Sequence, residues 1–288
     1  NSDIGPLVGR VQSREDTAAA INAAVERARG AILVFTDARQ ELATDAVTHL
    51  VLALSDPAVG AASGELTHRD AATGAARSIG IYWQYERFIR TQESAFFSCV
   101  GASGALYAMR RSDFEPLRPG TILDDFESPM ATVRRHKRIV LESRAIVIDD
   151  LEVDLAGERK RKVRTLAGNF QSFSHNRWLF SPRENPIWWQ FLSHKVGRLV
   201  VPYALVGALF SAWALPGLMY RAFALAQTGF YLVALAALAS ATVRRSKLAS
   251  AAGLFLDTNV AAIEALWRFV RGDLAQVWVP TTKQAPLE

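Results

Sequence analysis

The amino-acid sequence predicts an α/β domain joined to membrane helices, and three observations carry that expectation. Helix and strand patterns alternate from residue 13 to about residue 66. The strand Ala31–Phe35 is an unbroken apolar run that stops just ahead of a carboxylate, Asp37. Two stretches without a charge, Leu199–Tyr220 and Ala222–Val243, lie in the last third of the chain.

Taken in order, Ser13-Arg14-Glu15-Asp16 has the form of a capping box. It opens an Ala-rich helix with Ala18, Ile21, Val25 and Ala28 on its apolar face, stopped by Gly30. The strand Ala31–Phe35 follows at once, and its continuous apolar character suits a parallel strand covered on both faces. A second helix starts at Thr44 or Asp45 and ends near Ser55, before Asp56-Pro57, and a second strand runs from Val59 to about Leu66. Alternation at this spacing argues for an α/β sheet, in which ligands sit beyond the carboxyl ends of the strands. That places Asp37 where a ligand would be.

Beyond a polar loop at 67–78, an aromatic-rich helix is expected from Ile81 to about Ser94. The stretch VGASGALYAMRR has a small-residue turn before a short strand, and TILDDFESPMATVRRHKR has two acids at a helix start. RIVLESRAIVID reads as a further strand and GERKRKVRTLAGNFQSF as a basic helical segment. After Asn185 the composition changes. PIWWQFLSHKVGR, with paired tryptophans, has the character of an interfacial helix. Each uncharged run is close to the ~20 residues that cross a hydrocarbon core, and Pro216-Gly217 supplies a turn between them. A third apolar stretch at 249–270 carries Asp257 and Glu264 and is compatible with a span, a re-entrant segment or an interfacial helix.

Composition narrows the function classes. The 288 residues are 50% hydrophobic and 21% charged with net charge +5, and mean hydropathy is +0.09. The basic residues form no nucleic-acid stripe. Lys195 and Arg198, and Arg244, Arg245 and Lys247, flank the apolar runs as they do at cytoplasmic membrane edges. The single cysteine, Cys99, excludes an internal disulfide and fits a reducing compartment; no zinc spacing occurs. The five histidines have no ligand spacing and read as structural. The chain opens on Asn1 with no signal-peptide pattern, and a fragment or processed form is expected.

Four groups could carry chemistry. Asp37 could hold a divalent cation that neutralises a diphosphate, or simply cap a turn. Asp124 and Asp125 are neighbouring carboxylates that raise one another's pKa, which suits a general base; an acidic first helical turn is the plainer reading. Gly101-Ala102-Ser103-Gly104 fails as a nucleophile elbow at Ala105 and reads as small residues admitting a flat substrate. Arg161, Lys162 and Arg164 could clamp a diphosphate from one helix face or meet anionic headgroups.

In this order the pieces resemble the membrane-embedded family 2 glycosyltransferases, best known from the cellulose, hyaluronan and poly-N-acetylglucosamine synthases. AAAINAAVERARGAILVFTDARQ resembles the family's helix and strand ending in Asp-x-Asp. ILDDF resembles its acidic pair, and RKVRT stands where it has Gln/Arg-x-x-Arg-Trp. The similarity runs from about Ala18 to the C-terminus. It implies a Rossmann-like nucleotide-diphospho-sugar transferase domain of the GT-A type over residues 1–180. An interfacial helix at 181–198, a transmembrane hairpin at 199–243 and a third membrane-associated segment with a tail at 244–288 would follow.

The resemblance further implies an inverting transferase that moves a sugar from a nucleotide sugar, with UDP the expected nucleotide, to a saccharide or lipid-linked acceptor at the cytoplasmic membrane face. Asp125 would be the base, with Asp124 beside it. Asn22, Asp37, Arg39, Arg161 and Arg164 would hold the nucleotide and diphosphate, with Mg²⁺ or Mn²⁺ on Asp37. Gly101, Ser103 and Gly104 would border the acceptor. Four departures stand against the pattern. Arg39 replaces the second acid of Asp-x-Asp, Thr17 a common lysine and Thr165 an aromatic, and the first nucleotide-binding strand with its base-contacting acid is missing. A non-catalytic membrane subunit that keeps the fold is the alternative they favour.

Overall fold

A computed structural model describes residues 14–37, 40–68, 74–149 and 155–273. The chain runs α1 (Arg14–Arg27), β1 (Ile32–Thr36), β2 (Glu41–Leu42), α2 (Ala46–Ala53), β3 (Val59–His68) and α3 (Gly74–Phe96). It continues through β4 (Leu106–Arg110), α4 (Asp124–Arg134), β5 (Arg138–Asp149) and α5 (Leu155–His175). The expected helices and strands are present, with α3 starting earlier than its aromatic stretch and the two-residue β2 unforeseen. The capping box at Ser13 lies outside the described side chains.

The five strands form one sheet in the order β1-β4-β3-β5-β2. Only β3 and β5 run parallel; β1 pairs antiparallel with β4, and β4 with β3. The parallel environment expected for Ala31–Phe35 is therefore corrected: among the described residues β1 is an edge strand paired on one side. Its apolar run has another cause, because its two faces touch different cores. Phe35 stacks on its cross-strand partner Tyr107 at 4.5 Å between centroids and packs against the core under α4 and α5, while Ile32 packs against the core under α2.

The first of these cores continues out of the sheet domain. Besides Tyr107, Met109, Phe126, Met130 and Leu166 it includes Phe191, Leu199, Ala261, Ala262 and Ala265 from the C-terminal helices. There the expected interfacial helix and first span are one helix, Trp188–Ala214, made of α6 (Trp188–Gln190), a π-helical turn (Phe191–Val196) and α7 (Gly197–Ala214). Gly217, at φ +118°, makes the turn into α8 (Leu218–Ala239). A positive φ is what glycine alone adopts without strain. After α9 (Ala241–Arg244), α10 (Lys247–Val270) packs an alanine stripe against its neighbours.

Trp188–Ala214 and Leu218–Ala239 are long and apolar enough to cross a membrane, and only 17% of each apolar window is buried. Phe210 is 71% exposed, Leu218 87% and Phe223 65%. A continuous apolar surface of this kind marks a protein–protein or membrane contact. The hairpin is held together by polar links across it, Gln227 Nε2 donating to the Leu205 carbonyl at 2.9 Å and Trp213 Nε1 to Thr228 Oγ1 at 3.4 Å.

The two acids in the third apolar stretch have partners in the sheet domain. Asp257 and Glu264 of α10 pair with Arg159 of α5, Glu264 at 3.0 Å, and Lys162 reaches Asp257 at 3.5 Å. α10 is thereby fastened to α5 as well as to the hairpin.

Candidate active site

The acidic pair sits at the start of α4, and two segments position it. From one side α5 holds the preceding loop: Gln171 Oε1 accepts the Ile122 N–H and its Nε2 donates to the Gly120 carbonyl, both at 2.9 Å. At Gly168 the two segments meet so closely that a Cβ would lie 2.7 Å from Leu123 Cγ. From the other side the loop Gly101–Gly104 wraps Asp125. The N–H of Ala102 donates to the Asp125 main-chain carbonyl at 3.0 Å, and the N–H of Gly104 donates to its carboxylate Oδ2 at 3.1 Å. Gly101 adopts φ +91°, and a Cβ on Gly104 would press on Asp125 Oδ2 at 3.1 Å.

The loop is anchored in turn to β3 and α3. Ser63 Oγ accepts the Ser103 N–H at 3.0 Å and an Arg90 N–H at 2.9 Å. Small residues at 101–104 thus serve the acid pair first: they let a backbone turn close over a carboxylate.

Electrostatics brings in the remaining members. Burial raises the pKa of both acids, and repulsion between them adds to it for Asp124. Asp37, at the end of β1, is close enough to push both further up. Opposing this, Lys195 and Arg90 favour the ionised form of Asp125, and Arg164 that of Asp124. Asp37, Asp124, Asp125 and Arg164, far apart in the chain, therefore share one region with Gly101, Ser103 and Gly104. The pair is half-buried, with its pKa values held above the usual carboxylate range.

Other sequence candidates are placed differently. Asn22 is committed to the Leu117 backbone, Nδ2 donating to its carbonyl and Oδ1 accepting its N–H, each at 2.9 Å. Its amide fastens α1 to the loop after β4, and the nucleotide-binding role expected of it has no support in these contacts. Arg39 lies outside the described residues. The basic segment of α5 divides by face: Arg159 and Lys162 turn to α10, whereas Arg164 turns to Asp124, its Nε buried without a hydrogen-bond partner. Arg161 is half-buried one turn before it. Arg90 and Lys195 were not foreseen as site residues. Arg90 lay in an aromatic helix with no motif, and Lys195 read as a membrane-edge cation.

Residues 6–118 match the model of the family described as Glycosyl transferase family 2. The matched segment covers less than half of the chain. It contains Asn22, Asp37 and the 101–104 loop; Asp124, Asp125, Arg161 and Arg164 lie beyond the matched residues. Among solved structures, the chain resembles the mannosyltransferase PcManGT from Pyrobaculum calidifontis in complex with GDP-Man and Mn²⁺, with TM-score 0.59 and 22% identity. The likeness covers 88% of this chain and 66% of that one, so the chain spans about two thirds of that structure. At this identity it shows the fold, a GT-A nucleotide-sugar transferase sheet followed by apolar helices. No curated protein matches the chain.

The sheet domain offers a divalent metal ion few ligands among the described residues. Among the described residues no three His, Cys, Asp or Glu side chains cluster as a metal site. The mutually repelling carboxylates of Asp37 and Asp124 suit a cation that takes its other oxygens from a diphosphate and water, as Mg²⁺ does with phosphorylated substrates.

Proposed function

We propose that the chain is an inverting glycosyltransferase of the membrane-embedded kind, moving a sugar from a nucleotide sugar to a hydroxyl of a saccharide or lipid-linked acceptor. The observation that carries the reading is the convergence of Asp37, at a strand end, with the half-buried pair Asp124 and Asp125. Asp125 takes the proton of the acceptor hydroxyl. The oxygen attacks the anomeric carbon from the face opposite the diphosphate, the bond from that carbon to the diphosphate oxygen breaks, and the nucleoside diphosphate leaves with the electron pair.

A base whose pKa lies nearer neutrality than an ordinary carboxylate is better matched to this step. The Gly104 N–H fixes the base's orientation. Arg164 and Arg161 bind the departing diphosphate, as guanidinium groups pair with phosphate oxygens. Asp37 is the residue that would hold Mg²⁺ or Mn²⁺, an ion that offsets diphosphate charge when bound. The exposed apolar hairpin lies in a membrane, and its basic flanks put the sheet domain on the cytoplasmic side.

The test is release of nucleoside diphosphate by the detergent-solubilised protein from a panel of UDP- and GDP-sugars, with and without Mn²⁺. At least one donor should turn over, and Asp125→Asn should lower kcat by about 10²–10⁴. If Asp125→Asn releases nucleotide as fast as an active parent, Asp125 is not the base; if no donor turns over, the chain is instead a non-catalytic subunit that keeps the fold.

A further inference from the structure

Two glutamates of α3, Glu86 and Glu93, stand seven residues apart and so share one face of the helix. Both turn toward the first apolar helix, and Glu93 is only 7% exposed. Between them sits His194, itself buried, on the π-helical turn Phe191–Val196, a wider winding that recurs at functional sites in other proteins. His194 Nδ1 is 2.7 Å from Glu93 Oε1, and its Nε2 is 3.2 Å from Glu86 Oε1. One turn on, Arg198 donates to Glu86 Oε2 at 2.7 Å, with its Nη2 3.3 Å from His194 Nε2. The apolar helix is thus keyed to α3 by charged groups held away from water, where a carboxylate that lost its partner would be costly.

Glu93 has a second end. Its Oε2 accepts the Val100 N–H at 3.3 Å. Val100 is buried and immediately precedes Gly101, where the backbone turns at φ +91°. Beyond that turn the N–H of Ala102 reaches the Asp125 main-chain carbonyl, and the N–H of Gly104 reaches its carboxylate. Other anchors of this loop come from the sheet. Cys99 donates its N–H to the Ile139 carbonyl at 2.8 Å, Ser98 Oγ accepts the Ile139 N–H at 2.8 Å, and Ser63 holds Ser103. Through Glu93 the apolar helix joins these anchors, by hydrogen bonds at every step from His194 to Val100.

We propose that Glu93 is a positioning residue of the transfer site: bound to His194 at one oxygen and to Val100 at the other, it hangs the loop around Asp125 on the first apolar helix. The inference rests on Asp125 being the base of the proposed transfer. An ionised carboxylate only accepts hydrogen bonds, so Glu93 can serve His194 and Val100 at once, one on each oxygen. In a buried setting no solvent molecule replaces either bond when it is lost. A shift of the helix is therefore passed to Val100, and across Gly101 to the amides that hold Asp125. The apolar helix thereby sets the geometry of the base as well as anchoring the domain. The route runs through residues other than Asp37 and Arg164, which the proposed transfer assigns to the donor.

The experiment compares Glu93→Ala, Glu93→Gln, His194→Ala, the double variant Glu93→Ala/His194→Ala and Arg198→Met in the detergent-solubilised chain. Amide hydrogen exchange over residues 100–104 is read together with kcat and donor KM. Glu93→Ala and His194→Ala should each speed that exchange by about tenfold. The double variant should go no further than Glu93→Ala, because both changes cut one link. In each, kcat should fall on the order of tenfold with donor KM within about twofold. Glu93→Gln keeps the length and can accept from Val100 while donating to the other tautomer of His194, so its exchange and kcat should stay within about threefold of the parent. Arg198→Met leaves Glu93 in place and should leave exchange at 100–104 unchanged. Unchanged exchange in the alanine variants, additive effects in the double variant, or a glutamine or Arg198→Met variant as loose as Glu93→Ala overturns the proposal. So does faster exchange with undiminished kcat, or failure of the Glu93 variants and His194→Ala to fold, which would make the link structural. Asp125→Asn runs alongside: if the parent turns over no donor, or Asp125→Asn keeps the parental rate, the transfer reading or its base has failed, while the exchange data still decide whether Glu93 joins helix to loop.

Discussion

Pro129 leaves the main-chain carbonyl of Asp125 without its helical donor, and the Ala102 N–H takes that place at 3.0 Å. A residue with an N–H one turn along would compete for the carbonyl and free the loop. Pro129→Ala should therefore hold or raise the melting midpoint of the protein while kcat drops on the order of tenfold, since small misplacements at a reacting centre are costly. Circular dichroism melts with nucleotide-release kinetics check both halves. Unchanged kcat would mean that the Ala102 contact does not orient Asp125.

Gly101 and Gly104 should answer differently to alanine. At Gly101 the φ of +91° and a contact of 3.1 Å to Phe126 Cδ2 make the loss one of stability, of about 1 kcal/mol or more. At Gly104 the added methyl meets the Asp125 carboxylate, so kcat should fall several-fold with little change in the melt. Parallel thermal and kinetic measurements on the two variants separate these outcomes.

The acid pair should cost stability at high pH. Folding raises its pKa above the ordinary carboxylate value of about 4, so the folded chain keeps a proton that the unfolded chain has already released. Stability is then full below about pH 4 and falls as pH rises toward the folded value, by about 1.4 kcal/mol for each pH unit that separates the unfolded pKa from the folded one. Asp124→Asn removes one charge of the pair. Its melting midpoint should exceed the parent's at pH 8 and equal it near pH 4; a constant difference at both would contradict the assignment.

Asn22 separates a structural amide from a nucleotide ligand. Loss of its two bonds to Leu117 in Asn22→Ala should destabilise by about 1–3 kcal/mol while donor KM stays within about twofold. A large rise in KM with an unchanged melt would return Asn22 to the nucleotide site.

α10 is the other element whose place depends on partners. Asp257→Ala removes an acid from the pairs with Arg159 and Lys162, whose exposure limits the effect to about 1 kcal/mol or less. The measurable consequence is local: faster proteolysis between residues 240 and 273 in detergent, with the sheet domain intact.

Much of this was legible in short stretches of sequence. Val59 opening a strand, Asp124 opening a helix and the uncharged runs around Pro216-Gly217 follow from residue periodicity and turn chemistry, which act over a few neighbours. The acidic pair was recognisable as two adjacent carboxylates. The apolar run of β1 suggested a parallel strand with two covered faces, but Val34 is exposed, and an unbroken run carries no information about strand direction: β4 pairs with it antiparallel. Nothing near Asn22 in sequence names Leu117, ninety-five residues away. Nor could a basic flank announce that Lys195 lies over the ring of Phe126, next to Asp125. Period, capping and hydropathy are properties of a local window, so the chain alone settles its elements and its apolar hairpin. Which side chains share a site depends on contacts between distant segments and on the field that charges out of water exert on one another, and those exist only once the sheet, α5 and the first apolar helix have closed around Asp125.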